Sequence, residues 1–176
     1  MPVPPDFRGA RGKRGPVAIV DIGSNSVRLV VYEAPTRIAA TLQNEKSICA
    51  IGREMVSTGR LHPQGVTDAL AALARFRLIA DGLGVEAREA VATAAARDAS
   101  NGADFIARAE RAWGGPITVL AGQDEARIAA EGVIAGMPEA EGLVADLGGG
   151  SLDMVPVVSG CTGLAHTLPF GRVSRL

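Results

Sequence analysis

Short runs of apolar residues alternate along the chain with glycine-containing turns and with longer stretches of helical periodicity. The short runs are rich in β-branched side chains and are bounded by turn residues, a pattern typical of β-strands. Glycines and polar residues interrupt the pattern over 47–61, where no regular element is predicted. The predicted strands cover residues 17–22, 27–32, 37–42, 85–93, 117–120, 143–147, 151–158 and 163–168.

Three helices are predicted from apolar residues at helical spacing. They cover 63–81, 101–113 with Asn101 as the N-cap, and a stretch from 123 or 124 to 136. Because strands and helices alternate after an antiparallel hairpin, the order predicts an α/β fold in which a mixed sheet carries helices on both faces. The apolar face of the first helix consists of Val66, Leu70, Leu73, Phe76 and Ala80.

One motif occurs twice. Residues 20–28 read VDIGSNSVR and residues 144–153 read VADLGGGSLD, and each copy is preceded by an apolar strand and followed by another. Such internal similarity predicts a duplicated domain. We therefore predict a disordered tail over 1–16, a first domain over 17–138, and the incomplete beginning of a second domain over 139–176.

The motif also suggests chemistry. Glycines that adopt positive φ allow consecutive N–H groups to point into one concavity, which suits a phosphate. Asp146, in the second copy, is placed to hold a metal ion through water. Asp21 is its counterpart in the first copy, and both carboxylates are also able to satisfy backbone groups of the turns.

Composition narrows the functional classes. The net charge of −1 and the six aromatic residues argue against a nucleic-acid-binding surface. The sequence has no apolar run of about 18 residues and no hydrophobic centre in 1–16, so neither a membrane span nor a secretory signal is predicted, and we expect a soluble cytoplasmic protein. Cys49 and Cys161 fit no metal spacing and are predicted to be small buried residues in a reducing compartment.

The two copies resemble the phosphate motifs of the actin–hexokinase–chaperone superfamily. Within it, the chain resembles the exopolyphosphatase and guanosine-pentaphosphate phosphatase family, through VDIGSNSVRL at 20–29, ATAAARDASN at 92–101, AGQDEAR at 121–127 and the second hairpin. The resemblance extends over 17–176. It implies a ribonuclease-H-like mixed sheet flanked by helices, as in actin-like ATPases, with the start of a second, duplicated domain.

The resemblance also implies roles for individual residues. Glu125 resembles the carboxylate that activates the attacking water, and Asp146 and Asp153 resemble the acidic pair around a Mg²⁺ ion or another divalent cation. Asp153 stands where familiar members carry Glu, which shortens its reach by about one methylene. The residues that resemble phosphate ligands are Ser24, Asn25, Arg97, Gly148, Gly149, Gly150 and Ser151.

Physical reasoning supports a role for Glu125, since a carboxylate at the start of a helix can orient a water molecule and accept its proton. The helix dipole lowers the pKa of such a carboxylate, so we expect Glu125 to be ionised at neutral pH. A glutamate in the first turn of a helix more often serves only to complement this dipole.

The expected function is release of orthophosphate from the end of inorganic polyphosphate. Guanosine pentaphosphate is the alternative substrate of the same family. A sugar or acid kinase of the same superfamily, and a module that binds phosphate chains or nucleotides without turnover, also stay open. We expect no nucleic-acid or membrane partner, and the exposed edge of the last sheet makes a homodimer an option.

Overall fold

Two β-sheets and the helices that pack on them make up the described part of the chain. The computed structural model describes residues 15–36, 40–148 and 151–168. The strands are β1 (Val17–Ile22), β2 (Ser26–Tyr32), β3 (Thr41–Ile48), β4 (Ala87–Ala92), β5 (Thr118–Val119), β6 (Gly142–Leu147), β7 (Leu152–Val158), β8 (Cys161–Thr162) and β9 (His166–Leu168). The helices are α1 (Met55–Thr58), α2 (Pro63–Gly82), α3 (Ala94–Asp98), α4 (Gly102–Trp113) and α5 (Gly122–Gly136).

The first sheet has the strand order β3-β2-β1-β4-β5. Strand β1 pairs antiparallel with β2 and parallel with β4, so an antiparallel hairpin and a parallel crossover share the central strand. Strand β5 continues the parallel part beside β4. This is the mixed sheet that the alternation of strands and helices predicted.

The larger core lies between the first sheet and helices α2 and α4. Alternate side chains of β1 and β2, such as Val20 and Leu29, are fully buried because a strand presents every second residue to the same face. Helix α2 contributes Leu73 and Phe76 from its predicted apolar face, and Trp113 closes the end of α4. Each of these large side chains is at most 1% exposed.

The second sheet is centred on β7, which pairs antiparallel with β6, β8 and β9. Helix α5 packs on this sheet, and its Ala126 and Ala130 form a small core with Val155 and Val157. The sequence-based division placed this helix with the first domain. The division stays a prediction, while α5 follows β5 of the first sheet in the chain and packs on the second sheet.

One predicted strand is wrong in position, and two short helices were not predicted. The third strand runs from 41 to 48 and not from 37 to 42, and residues 37–39 lie outside the described part of the chain. Strand β3 is a polar edge strand, so its composition did not reveal it. The pairing of β2 with β3 also shifts register between Val31 and Tyr32, so the length of the turn did not predict where β3 begins. Helices α1 and α3 are short elements that the periodicity did not predict.

Two side chains also differ from expectation. The Asn101 side chain does not cap α4; its Oδ1 accepts a hydrogen bond from Leu61 N at 2.9 Å. Cys49 is buried as predicted, whereas Cys161 is exposed because β8 is a short outer strand.

No helix in the described ranges has both the length and the apolar character needed to cross a membrane.

Helix α2 begins close to the segment that follows β3. A Cβ atom on Gly65 would lie 2.6 Å from Cys49 O and 3.0 Å from Ile51 Cα, both of which are backbone atoms. We therefore expect Gly65→Ala to lower the free energy of unfolding by about 1–3 kcal/mol despite the higher helix propensity of alanine. Urea unfolding measures this change.

Gly82→Ala is the matched control on the same helix. Nothing lies within 4 Å of a Cβ atom there, so we expect a neutral effect or a gain of about 0.5–1 kcal/mol. Equal effects of the two substitutions would show that the close approach at Gly65 is unimportant.

Candidate functional site

The two copies of the motif form two hairpins that are closed by the same type of backbone hydrogen bond. Gly23 N donates a hydrogen bond to Ser26 O at 3.0 Å, and Gly148 N donates one to Ser151 O at 2.9 Å. Gly23 and Gly148 do not adopt the positive φ that we predicted for the glycine turns. In both hairpins a backbone hydrogen bond from glycine to serine closes the turn, and in the first hairpin this bond forms without the left-handed conformation. Gly149 and Gly150 of the second turn lie outside the described part of the chain.

An open cleft of about 310 Å³ lies between these hairpins. It is lined mainly by polar side chains and by turn backbone. Residues of both sheets and the first turn of α5 contribute to it. The lining residues are Asp21, Gly23, Ser24, Asn25, Ser26, Lys46, Thr93, Ala94, Glu125, Asp146, Leu147, Gly148 and Ser151.

The turn of the first hairpin is held by the segment after β3. Asn25 O accepts hydrogen bonds from Cys49 N at 3.0 Å and from Ala50 N at 2.9 Å, and Ser24 O accepts one from Gly52 N at 2.9 Å. These bonds occupy the carbonyl groups of the turn. The Ser24 and Asn25 side chains still line the cleft.

Glu125 lies in the first turn of α5, and its side chain is 17% exposed. Loss of solvation raises its pKa to about 7, and the negative charges of Asp153 and Asp21 act in the same direction. Arg97, whose Nη1 lies 3.4 Å from Glu125 Oε2, opposes this rise. The prediction of a lowered pKa is therefore wrong, because burial and neighbouring carboxylates outweigh the helix dipole.

Arg97 lies next to Glu125 but does not line the cleft. Its Nε donates to Asp98 Oδ1 at 2.9 Å, and its Nη1 donates to Leu120 O at 3.1 Å. The guanidinium group is thus held by a carboxylate and a backbone carbonyl while it contacts Glu125. Its contact with phosphate stays a prediction.

Asp146 and Asp153 face each other across strands β6 and β7, so both carboxylates lie on one face of the second sheet. Asp146 lines the cleft, whereas Asp153 is only 3% exposed. Ser151 Oγ donates to Asp153 Oδ2 at 3.0 Å, and Asp153 Oδ1 is buried with no hydrogen-bond partner in the described part of the chain. A buried carboxylate oxygen without a donor fits a nearby cation, which prefers oxygen ligands.

The described residues contain no group of three or more acidic, histidine or cysteine side chains arranged to hold a metal ion. Mg²⁺ commonly uses one or two carboxylates together with water and substrate phosphate oxygens, so the pair of aspartates is compatible with it.

Asp21 is a cleft residue that the sequence-based site did not include. Its carboxyl keeps a solvent-exposed surface toward the cleft, although protein atoms crowd around it. This crowding and the negative charge of Asp146 raise its pKa, while Arg28 partly opposes the rise. The repeat provided the signal that could have identified Asp21, because it occupies the position of Asp146 in the other copy.

Most predicted site residues come together in this cleft. Arg97 and Asp153 lie behind it, in contact with Glu125 and Ser151 respectively, and Gly149 and Gly150 lie outside the described part of the chain. Lys46 and Thr93 line the cleft without having been predicted. The predicted residues that line it are Ser24, Asn25, Glu125, Asp146, Gly148 and Ser151.

Comparison with known protein families gives a match over most of the chain. Residues 29–175 match the model of the Ppx/GppA phosphatase family. Exopolyphosphatase 1 of Mycobacterium tuberculosis is 30% identical over 168 residues, which cover 90% of this chain and 48% of the relative. The chain therefore spans about half the length of the curated relatives it matches.

Solved structures agree with the sheet and helix arrangement. The Aquifex aeolicus Ppx/GppA family member is 31% identical with a TM-score of 0.78, over 91% of this chain and 53% of that one. An exopolyphosphatase from Cytophaga hutchinsonii is 26% identical with a TM-score of 0.82, over 89% and 51%. The ethanolamine utilization protein EutJ from Carboxydothermus hydrogenoformans, at 16% identity and a TM-score of 0.53, shows the shared actin-like fold alone.

The raised pKa of Glu125 has a consequence for stability. Between the ordinary value of 4.5 and about 7, the folded chain retains a proton that the unfolded chain has released, so this group makes stability fall as pH rises through that window. We expect Glu125→Gln to stabilise the chain at pH 8, by about 3 kcal/mol at most, since one pKa unit corresponds to about 1.4 kcal/mol. At pH 5 the two chains should differ by less than about 1 kcal/mol in urea unfolding.

Glu131→Gln is the control on the same helix, because Glu131 is exposed and pairs with Arg127 at the surface. Its effect should not change between the two pH values. A Glu125→Gln effect that is the same at pH 5 and pH 8 would contradict the raised pKa.

Proposed function

Because this chain belongs to the Ppx/GppA phosphatase family, we propose that its cleft hydrolyses the terminal phosphoanhydride bond of inorganic polyphosphate and releases orthophosphate. The observation that carries the proposal is the position of Glu125. It lines the same cleft as two matching glycine–serine hairpins that come from opposite ends of the chain.

In this proposal Glu125 orients the attacking water and accepts its proton. A general base works best when its pKa lies near the pH of the reaction, and the pKa of Glu125 is about 7. Arg97 positions the carboxylate through Oε2 and keeps its pKa from rising further. The water attacks the terminal phosphorus, the bond to the bridging oxygen breaks, and the shortened chain leaves with that oxygen.

The hairpins would hold the phosphate oxygens. Ser24 and Asn25 line the cleft, and preorganised donors in such turns stabilise charge that develops in the transition state. Ser151 also lines the cleft, with its hydroxyl hydrogen donated to Asp153. A Mg²⁺ ion bound by Asp146 and Asp153 would neutralise phosphate charge. Without such neutralisation the carboxylates around the cleft would repel a polyanion.

Polyphosphate is the proposed substrate because curated relatives at 30% identity bear the name exopolyphosphatase. Guanosine pentaphosphate ends in the same type of phosphoanhydride bond. A parallel assay with guanosine pentaphosphate ranks the two substrates by kcat/KM.

Phosphate release from long-chain polyphosphate in the presence of Mg²⁺ tests the proposed function. We expect Glu125→Gln to lower kcat by about 10²–10⁴-fold, the usual contribution of a general base. The glutamine keeps the size of the side chain but cannot accept the proton.

Glu131→Gln is again the matched control and should retain full activity, since Glu131 lies on the exposed side of the same helix. Release that is equal in the wild-type chain and in Glu125→Gln would contradict the proposed mechanism. Saturable binding of polyphosphate without any release would favour a binding module.

The rate should also depend on pH through Glu125. We expect kcat/KM to rise with pH and to reach half of its plateau near pH 7, because only the ionised carboxylate accepts a proton. Arg97 lowers the pKa of Glu125, so Arg97→Met should move this midpoint to higher pH, while Arg97→Lys should leave it closer to the original value. A midpoint that is unchanged in Arg97→Met would show that another group titrates.

A further inference from the structure

Three charged residues lie side by side across the first sheet. Asp21 on β1 is the register partner of Arg28 on β2, and Arg28 is the partner of Lys46 on β3. Since register partners point to the same face, the three side chains form one row that leads from the centre of the sheet to its edge. This face is opposite to the one that carries Val27 and Leu29 beneath α2.

The row separates the negative charges of the cleft from the positive ones. Its inner end carries Asp21, close to the carboxylates of Glu125 and Asp146, and its outer end carries two cations. Like charges directly opposite each other on neighbouring strands destabilise a sheet. An anion beside Arg28 and Lys46 would remove that repulsion.

The two cations differ in the partners that their side chains have. Arg28 Nε donates a hydrogen bond to Asn44 Oδ1 at 2.9 Å, and its charge acts on Asp21. Lys46 lines the cleft together with Asn25 and Ser26, and it makes no side-chain hydrogen bond or ion pair with the rest of the described chain. Its ammonium group is therefore available to a ligand in the cleft.

We propose that Lys46 binds the phosphate groups next to the terminal one and so sets the direction of the substrate in the cleft. The terminal phosphate then faces Glu125 at the acidic end, and the rest of the phosphate chain leaves over the edge formed by β2 and β3. This inference rests on the proposed function, and it adds a requirement for at least one further phosphate beyond the one that is released.

Lysine suits this position because its ammonium group is a compact charge on a flexible stem, which can follow successive phosphates of a chain. Strand β3 is an edge strand, so the Lys46 side chain can move without disturbing the core. The contact should contribute to binding more than to the chemical step, since Lys46 lies at the end of the row away from Glu125.

Equilibrium binding of three inorganic probes tests the proposal. In the Glu125→Gln background, which is expected to slow turnover by about 10²–10⁴-fold, orthophosphate, pyrophosphate and tripolyphosphate are titrated calorimetrically in the presence of Mg²⁺. We expect Lys46→Gln to weaken tripolyphosphate binding by about tenfold, as for the loss of one charged hydrogen bond at an accessible site. Orthophosphate binding should change by less than about twofold.

Two further variants complete the test. Lys46→Arg should restore most of the affinity for tripolyphosphate. Arg60→Gln removes an exposed cation that does not line the cleft, and it should leave all three affinities unchanged. Circular dichroism confirms that each variant is folded.

Equal weakening of orthophosphate and tripolyphosphate binding, or no weakening of either, would overturn the role of Lys46. Failure of all three probes to bind to the background chain would also overturn it. Phosphate release by the chain with Glu125 intact is measured separately. Tripolyphosphate binding that depends on Lys46 without any release would therefore refute the proposed function and support the binding contact.

Discussion

The hydrogen bond that closes each glycine–serine turn is the constraint on which the cleft depends. It occurs once between Gly23 and Ser26 and again between Gly148 and Ser151, with nearly the same length. Each bond fixes the register of its hairpin, and the register decides which residues face each other across the strands. A shift by one residue would turn Asp21 and Asp146 away from the cleft.

The electrostatic character of the site follows from that register. Asp21, Asp146 and Asp153 are brought around the start of α5, where Glu125 is already poorly solvated. Only Arg97 directly contacts the Glu125 carboxylate as a counter-charge among the described residues. The site therefore keeps a carboxylate that is difficult to ionise, which lowers stability near neutral pH and provides a base of suitable strength.

The packing of α5 on the second sheet positions Glu125 in the site. The helix leaves the first sheet after β5, and its Ala126 and Ala130 lie against Val155 and Val157 of the second sheet. Small side chains at these positions let the helix approach β7 closely. Glu125 precedes Ala126 directly, so the contact between α5 and the second sheet also holds the proposed base in place.

Local patterns were sufficient for much of the architecture. Strand β1, helix α2 and the duplicated hairpin follow from apolar spacing and turn residues, which depend on neighbours within a few positions. The resemblance to the family identified Glu125 and Ser151 as site residues. Strand β3 was misplaced because polar residues on an edge strand carry no clear alternation.

Only the tertiary structure decided how these residues act on one another. The pKa of Glu125 depends first on its burial, then on Asp153, and also on Asp21, about a hundred positions earlier in the chain, so no local rule could give its direction. Lys46 lines the cleft because β3 pairs with β2 in this register. Periodicity and turn chemistry are properties of the chain, whereas burial and charge interactions depend on distances that exist only after folding.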